Sequence, residues 1–206
     1  MIKIASESFK LFLSQNILFL FRRAKNKDVI FSDLTRWQRF VYGIPDRGAP
    51  EKILVLLFRG WPEYRNLFYY RLKKDPITKH FIFFLTRRIF PPREDVVINA
   101  IEGIGPGLFI QHGRATGIMA QRVGENCFIN QHVSIGYKGI NERPPIIGKN
   151  VAIRAGAKIY GNIEIGDNVV IGANAVVVKD VPADCTVVGV PGRIIKRNGK
   201  RVDEPL

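Results

Sequence analysis

The chain has 206 residues, 46% of them hydrophobic and 24% charged, a balance that fits a packed globular protein and leaves little room for long disorder. Its two cysteines exclude a disulfide framework, and no apolar run approaches the roughly 18–20 residues of a membrane-spanning helix. The net charge of +14 is uneven, with 19 Lys/Arg against 9 Asp/Glu in residues 1–95 and 13 against 9 in residues 96–206; a basic, aromatic front half suits an anionic membrane surface, a nucleic acid or a polyanion, or is simply a solvated basic face.

Residues 1–95 read as helices. The run SESFKLFLSQNILFLFRRAKN opens with Ser6 or Ser8 as an N-cap, and Lys10, Ser14, Gln15 and Asn16 interrupt its apolar residues too often for a signal peptide. The segment SDLTRWQRFVYG is expected to start at a Ser32 cap and stop at Gly43. APEKILVLLFRG begins on Pro50 and ends at Gly60, and WPEYRNLFYYRLKKD repeats the layout from Pro62, with Leu67, Tyr70 and Arg71 near one stripe. DPITKHFIFFLTRRIFPP reads as one more helix, closed by Pro91 and Pro92, with His80 structural or exposed.

From about residue 96 the period becomes six. Ile98, Ile104 and Ile110 set the spacing, and Val123, Ile129, Ile135, Ile147, Ile153, Ile159, Ile165, Ile171 and Val177 continue it. Glycine often follows, at Gly124, Gly136, Gly148, Gly166 and Gly172, and the fifth position of each unit is small or branched, Cys127 among them. Six residues are too few for a packed helix, but they suit a short strand and a corner, with the aliphatic side chain inward and the glycine easing the bend. Coils of that kind stack into a continuous aliphatic column.

Two irregularities interrupt the repeat. The step from Ile110 to Val123 is thirteen, so QHGRATG holds one residue too many for two units. Between Ile135 and Ile147 the run GYKGINERPP has no aliphatic–glycine unit and reads as a loop over 136–145 leaving the coil. Insertions in a solenoid map to loops, often on the binding face. They single out His112 and the 136–145 loop.

From Ile98 to Arg197 the chain resembles the hexapeptide-repeat acyltransferases with a left-handed parallel β-helix, in their serine-acetyltransferase-like branch. GLFIQHGRATGI is similar to the segment carrying their active-site histidine, NQHVSIGYKG to the next coil, and the run from Pro144 to Lys196 to their C-terminal coils and cap. The resemblance implies a mainly β protein: an α-helical region over 1–95, the β-helix over 96–197 and a tail over 198–206. It implies a cytoplasmic homotrimer that uses acetyl-CoA as co-substrate and holds no permanent cofactor, with a histidine as general base on an acceptor hydroxyl. An imidazole with a pKa near 6.5 suits that task.

Carried over residue by residue, the base falls on His112, with His132 one coil further on as rival. The acyl-CoA arm falls on Gly136, Tyr137, Lys138, Gly139, Ala155 and Ala173; Lys179, Arg193, Lys196 and Arg197 are electrostatic candidates for the CoA phosphates. The chain departs from serine acetyltransferases in having Gln111 where they carry an aspartate before the histidine. Their upstream aspartate falls near Val97, with Asp95 out of register, and Arg143 stands for a loop histidine. Gln111, Arg114 and Arg143 are therefore expected to bind a neutral or anionic acceptor, a sugar hydroxyl of a capsule, lipopolysaccharide or exopolysaccharide precursor. Serine O-acetylation in cysteine biosynthesis is the alternative, and a non-catalytic β-helical scaffold the third reading. No metal site is expected, because only two histidines lie in the repeats and Cys127 reads as core. No nucleic-acid module is recognisable. The basic front half is expected either to pack a trimer or to make a peripheral contact with an anionic membrane at its inner face.

Overall fold

The computed structural model describes residues 14–43, 50–139 and 141–206; Ser6 and Ser8 lie outside them. The chain divides into two compact units, Met1–Arg93 and Glu94–Leu206.

The first unit is helical: α1 (14–23), α2 (Lys27–Tyr42), α3 (Pro50–Gly60), α4 (Pro62–Leu72), a 3-10 turn Pro76–Lys79, and α5 (Phe81–Ile89). Three expectations need correction. Ser32 does not cap α2, which starts a turn earlier with Asp28 at its positive end; Asn26 precedes it and donates its side-chain amide to Arg71 O at 2.7 Å. The stripe on α4 is wider than Leu67, Tyr70 and Arg71: Tyr64, Phe68, Tyr69 and Leu72 are buried too, while Tyr70 is half-exposed. The single helix expected over 76–90 breaks at His80 (φ −78°, ψ 140°), because Asp75 accepts from the Ile77 N–H and caps a short 3-10 turn first. Gly43 does end α2, in the left-handed region at φ 64°.

Aromatic edges fill this core. Trp37 meets Tyr64 at 5.3 Å between centroids, and Phe58 meets Phe68 at 5.2 Å and Phe90 at 5.6 Å. Such pairs add about 0.5–1.5 kcal/mol beyond burial. Burial also raises the Tyr64 phenol well above its usual range, so it stays neutral. Buried in this core is the ion pair of Arg71 with Asp33.

The second unit is the expected β-helix, of about five coils. Its strands are β1 (Val96–Ile104), β2 (Phe109–Ile110), β3 (Thr116–Val123), β4 (Phe128–Ile129), β5 (Ser134–Gly136), β6 (Ile146–Ile147) and β7 (Ala152–Ile153); β8 (Lys158–Tyr160), β9 (Glu164–Ile165), β10 (Val170–Ile171), β11 (Val176–Val177) and β12 (Cys185–Val188) follow. Parallel pairing stacks the predicted aliphatic positions, joined by Ile118 and Val187, on three faces. The first aligns Ile98, Ile118, Ile135, Ile159 and Val177. The second aligns Ile104, Val123, Ile147 and Ile165, and the third Ile110, Ile129, Ile153, Ile171 and Val187. From Ile110 onward each is fully buried, a contribution of about 1.5–3 kcal/mol apiece before chain entropy.

The repeating glycine does a different job from easing a bend. A Cβ on Gly124 would collide with Gly148 O, and one on Gly148 would come within 2.5 Å of Asp167 Oδ1 and 2.8 Å of Gly166 C. Each glycine lets the next coil pass overhead. The bends themselves fall on Asn126, Asn150, Asn168 and Asp184, all near φ 54–58°, and their side chains stack, Asn150 donating to Asn168 and Asn168 to Asp184. Asparagine tolerates this conformation better than most residues. Accordingly, Gly148→Ala should lower stability by about 1–3 kcal/mol in urea unfolding. Gly117→Ala, whose methyl meets open space, should stay within about 0.5 kcal/mol.

The stretch 198–206, expected as a tail, carries a strand instead. β13 (Arg193–Arg197) and β14 (Lys200–Pro205) pair antiparallel across Asn198–Gly199, both at positive φ, the hairpin turn that an Asn-Gly pair favours. Arg193 pairs with Asp203 at 2.8 Å, and Arg197 with Glu204.

Candidate active site

The site builds from the break after β2. Up to Gln111 the ladder is regular, its N–H donating to Ile129 O at 2.8 Å. His112 then turns left-handed (φ 56°), the Arg114 N–H bends back onto His112 O, and Ala115 turns left-handed again (φ 47°). Arg114 O accepts from the His132 N–H at 2.8 Å, Gln131 O from Gly156, and Ala155 O from Asn174. Ala115, His132 (φ 59°), Gly156 (φ 76°) and Asn174 (φ 57°) thus form one column of corners.

His112 belongs to a bulge ahead of that column. Ile110 to Ile118 takes eight residues and Ile118 to Val123 only five. The single extra residue expected is therefore two extra at the corner, offset by one fewer within β3. A non-glycine residue at positive φ is strained by roughly 1–2 kcal/mol, and this corner holds two of them, pinned from outside. Asp95 accepts the Ala115 N–H through Oδ2 at 3.3 Å and the Thr116 N–H through its main-chain oxygen at 3.0 Å. The Thr116 hydroxyl donates to Arg114 O at 3.1 Å.

His112, Arg114 and His132 are exposed. Gln111 is half-buried and accepts through Oε1 from Asn130 Nδ2 at 2.8 Å, a contact that does not use its own amide N–H₂. Lys158 Nζ donates to His132 O at 2.7 Å, and Tyr160 Oη to Ser134 Oγ at 2.7 Å on the adjoining face. There Gly136 lies opposite Tyr160, and a Cβ on it would touch Met119 and the Tyr160 ring at 3.5 Å. Tyr137, Lys138 and Arg143 are exposed on the loop that leaves this face, and Gly139 is half-buried; Pro144 and Pro145 return the chain to β6.

Ala155 and Ala173 stand on the corner column, three coil spacings from the bulge at most, about 14 Å at ~4.8 Å per coil. Asn174 folds its side chain over Gly156, so this edge is smooth and narrow. Lys179 and Arg193 sit together in the last coil, around a cavity of about 150 Å³ also lined by Val176, Val178, Pro191 and Gly192. Both are engaged there, Lys179 with Leu206 O and Arg193 with Asp203. Cys127 is core, its Sγ 3.2 Å from Gly148 O; burial pushes the Cys185 thiol up, away from the reactive thiolate. Among the described residues no three His, Cys, Asp or Glu gather in a group fit to hold a metal.

Coils of six-residue units, stacked in parallel around an aliphatic column and interrupted at one histidine-bearing corner, define a left-handed parallel β-helix. Residues 144–179 match the family described as bacterial transferase hexapeptide (six repeats). A serine acetyltransferase of Synechococcus elongatus is 52% identical over 103 residues, 48% of this chain and 42% of its own. The Neisseria gonorrhoeae serine acetyltransferase superposes with a TM-score of 0.62 at 30% identity, over 88% of this chain and 69% of that one; its complex with serine gives 0.60 at 28% identity, over 89% and 80%. A serine acetyltransferase in complex with CoA gives 0.55 at 27% identity, over 82% and 69%. The chain belongs to the hexapeptide-repeat transferase family. It matches less than half the length of the curated relatives.

These likenesses overturn the sugar acceptor and the polysaccharide pathway expected from the sequence, since the similar proteins are serine acetyltransferases. That expectation rested on missing carboxylates at 111 and 97. The pairing of Val96 with Thr116 sets Asp95 against Ala115, so a carboxylate does stand at the corner. Only the two-residue bulge makes that register visible. Asn130, Lys158 and the Ser134–Tyr160 pair were missed as well; the same-phase positions Gln111, Asn130 and Arg154 were the available signal.

Proposed function

We propose that this chain is an acetyl-CoA-dependent serine O-acetyltransferase. The observation that carries this reading is the bulged corner, which projects His112 from a coil edge while Asp95 and Gln111 flank it. His112 accepts the proton of the serine hydroxyl as its oxygen attacks the thioester carbon. The tetrahedral oxyanion then collapses, the C–S bond breaks, and the imidazolium returns the proton to the CoA sulfur. The products are O-acetylserine and CoA, and atoms and charge balance without any other reactant.

The amide N–H₂ of Gln111 and the cations Arg114 and Arg143 suit the serine carboxylate, and Asp95 suits its ammonium. Acetyl-CoA lies along the Ala155–Ala173 edge and the stretch Gly136, Tyr137, Lys138 and Gly139. Lys179 is the better phosphate partner than Arg193, whose charge Asp203 already offsets. The active assembly is a homotrimer, cytoplasmic because acetyl-CoA is. Among the described residues no helix is long and apolar enough to cross a membrane.

Thiol release from acetyl-CoA should be fastest with L-serine. Ethanolamine, without the carboxylate, and 3-hydroxypropionate, without the ammonium, should each lose at least about tenfold in kcat/KM, the size of one lost charge-assisted contact. Turnover of neither serine nor its analogues, in a protein whose melting temperature acetyl-CoA does raise, would sink the serine reading and keep acetyl-CoA binding.

A further inference from the structure

The helical unit carries a surface that acetyl transfer does not use. In α5, Phe81, Phe84, Leu85 and Arg88 fall at i, i+3, i+4 and i+7, one face of the helix. Phe81 is 76% exposed and Phe84 62%, the largest exposures among the exposed large hydrophobic residues of this unit. The opposite face is committed, because Phe83 and Thr86 are buried and the Phe83 ring meets Tyr69 at 5.8 Å.

The surroundings are cationic. Lys73, Lys74, Lys79, Arg87 and Arg88 are all exposed, and among the described residues none of the five is in a salt bridge. Arg87 is 5.7 Å from the Tyr69 ring centroid, a contact that leaves its charge unneutralised. The only carboxylate between Lys73 and Arg88 is Asp75. It is buried and faces inward, accepting from the Lys25 and Ile77 N–H groups. His80, beside Phe81, is exposed with its ring edge on Phe19 at 6.2 Å.

Two exposed phenylalanines with unneutralised cations on and before the same helix suit an occupant that is apolar at depth and anionic at its rim. A second copy of this helix fits poorly, because it brings the same cations and no carboxylate to the rim. We propose that the Phe81–Phe84 face of α5 docks on an anionic lipid bilayer, the rings entering the interface while Lys79, Arg87 and Arg88 meet the headgroups. This helix lies on the membrane and does not span it. At nine residues it is too short to cross, and two rings with a few cations give reversible binding of the interfacial type.

The test is sedimentation of the full chain with vesicles of phosphatidylcholine alone or with about a third phosphatidylglycerol. Binding is expected only to the anionic vesicles, falling at least about tenfold between 50 and 500 mM salt as screening shortens its range. Phe81→Ser with Phe84→Ser, and separately Arg87→Glu with Arg88→Glu, should each weaken it at least about tenfold. These positions are exposed, so unchanged melting and unchanged thiol release would accompany the loss. No binding to anionic vesicles at 50 mM salt, equal binding to both vesicle types, or full binding by the Ser/Ser variant would each overturn the proposal. A concentration-dependent doubling of mass that Ser/Ser abolishes, with no vesicle binding, would assign the face to self-association instead.

Discussion

Replacing His112 by asparagine should cut acetyl transfer by about 10²–10⁴-fold, the usual worth of a positioned general base, and leave stability nearly unchanged. Asparagine is the informative choice because residue 112 stands at φ 56°. It accepts that conformation, whereas alanine adds strain of its own and confuses a lost base with a moved loop. The side chain is exposed, so little packing is lost. KM for acetyl-CoA should hold while kcat falls, since the imidazole acts on the proton and not on the cofactor arm. His132→Asn, at φ 59° one coil away, is the matched control. If it removes activity and His112→Asn does not, the base is His132.

The second large effect lies in the helical unit. Arg71 and Asp33 form a two-pronged ion pair, Nε to Oδ2 at 2.8 Å and Nη2 to Oδ1 at 3.1 Å, with side chains only 5% and 2% exposed. Asp33→Asn keeps the shape but leaves the guanidinium uncompensated, at a cost of about 3–5 kcal/mol. Arg71→Met combined with Asp33→Leu removes both charges and should recover much of that loss, because a well-packed apolar pair escapes the desolvation penalty. Urea unfolding of Arg71→Met, Asp33→Leu and the double variant gives the coupling. A double variant as damaged as the sum of the singles would mean that the two side chains are uncoupled, and would contradict the ion pair.

The two halves of the chain differ in how much they disclose. In the β-helix each coil repeats the same constraint, so a six-residue period over a dozen aliphatic positions specifies the pairings from Val123 onward together. Even the position of His112 shows, as a break in that period. The size of the break does not show, because two added residues at the corner and one missing in β3 leave a net of one. That net of one also hides the contact of Asp95 with Ala115 and Thr116, a carboxylate at the corner. The Gly-x-Asn corners at 124–126, 148–150 and 166–168 are equally visible in the letters, where the asparagine marks the bend and the glycine the close approach. In the helical half no repeat averages out local ambiguity. Ser32 looks like a cap until Asp28 and Lys27 extend the helix, and α4 carries no clean stripe because neighbours bury it on several sides. Proline and glycine punctuation survived best there, at Pro50, Pro62 and Gly43, where backbone geometry leaves little choice.

Acetylation of serine at the bulged corner is the reaction proposed for this chain. Its most direct measurement is the mass of the product formed from labelled acetyl-CoA and L-serine by the wild-type chain and by His112→Asn. The account predicts O-acetylserine from the wild type at an enzyme-like rate and a loss of at least about 10²-fold in the variant. O-acetylserine formed equally fast by both would contradict it.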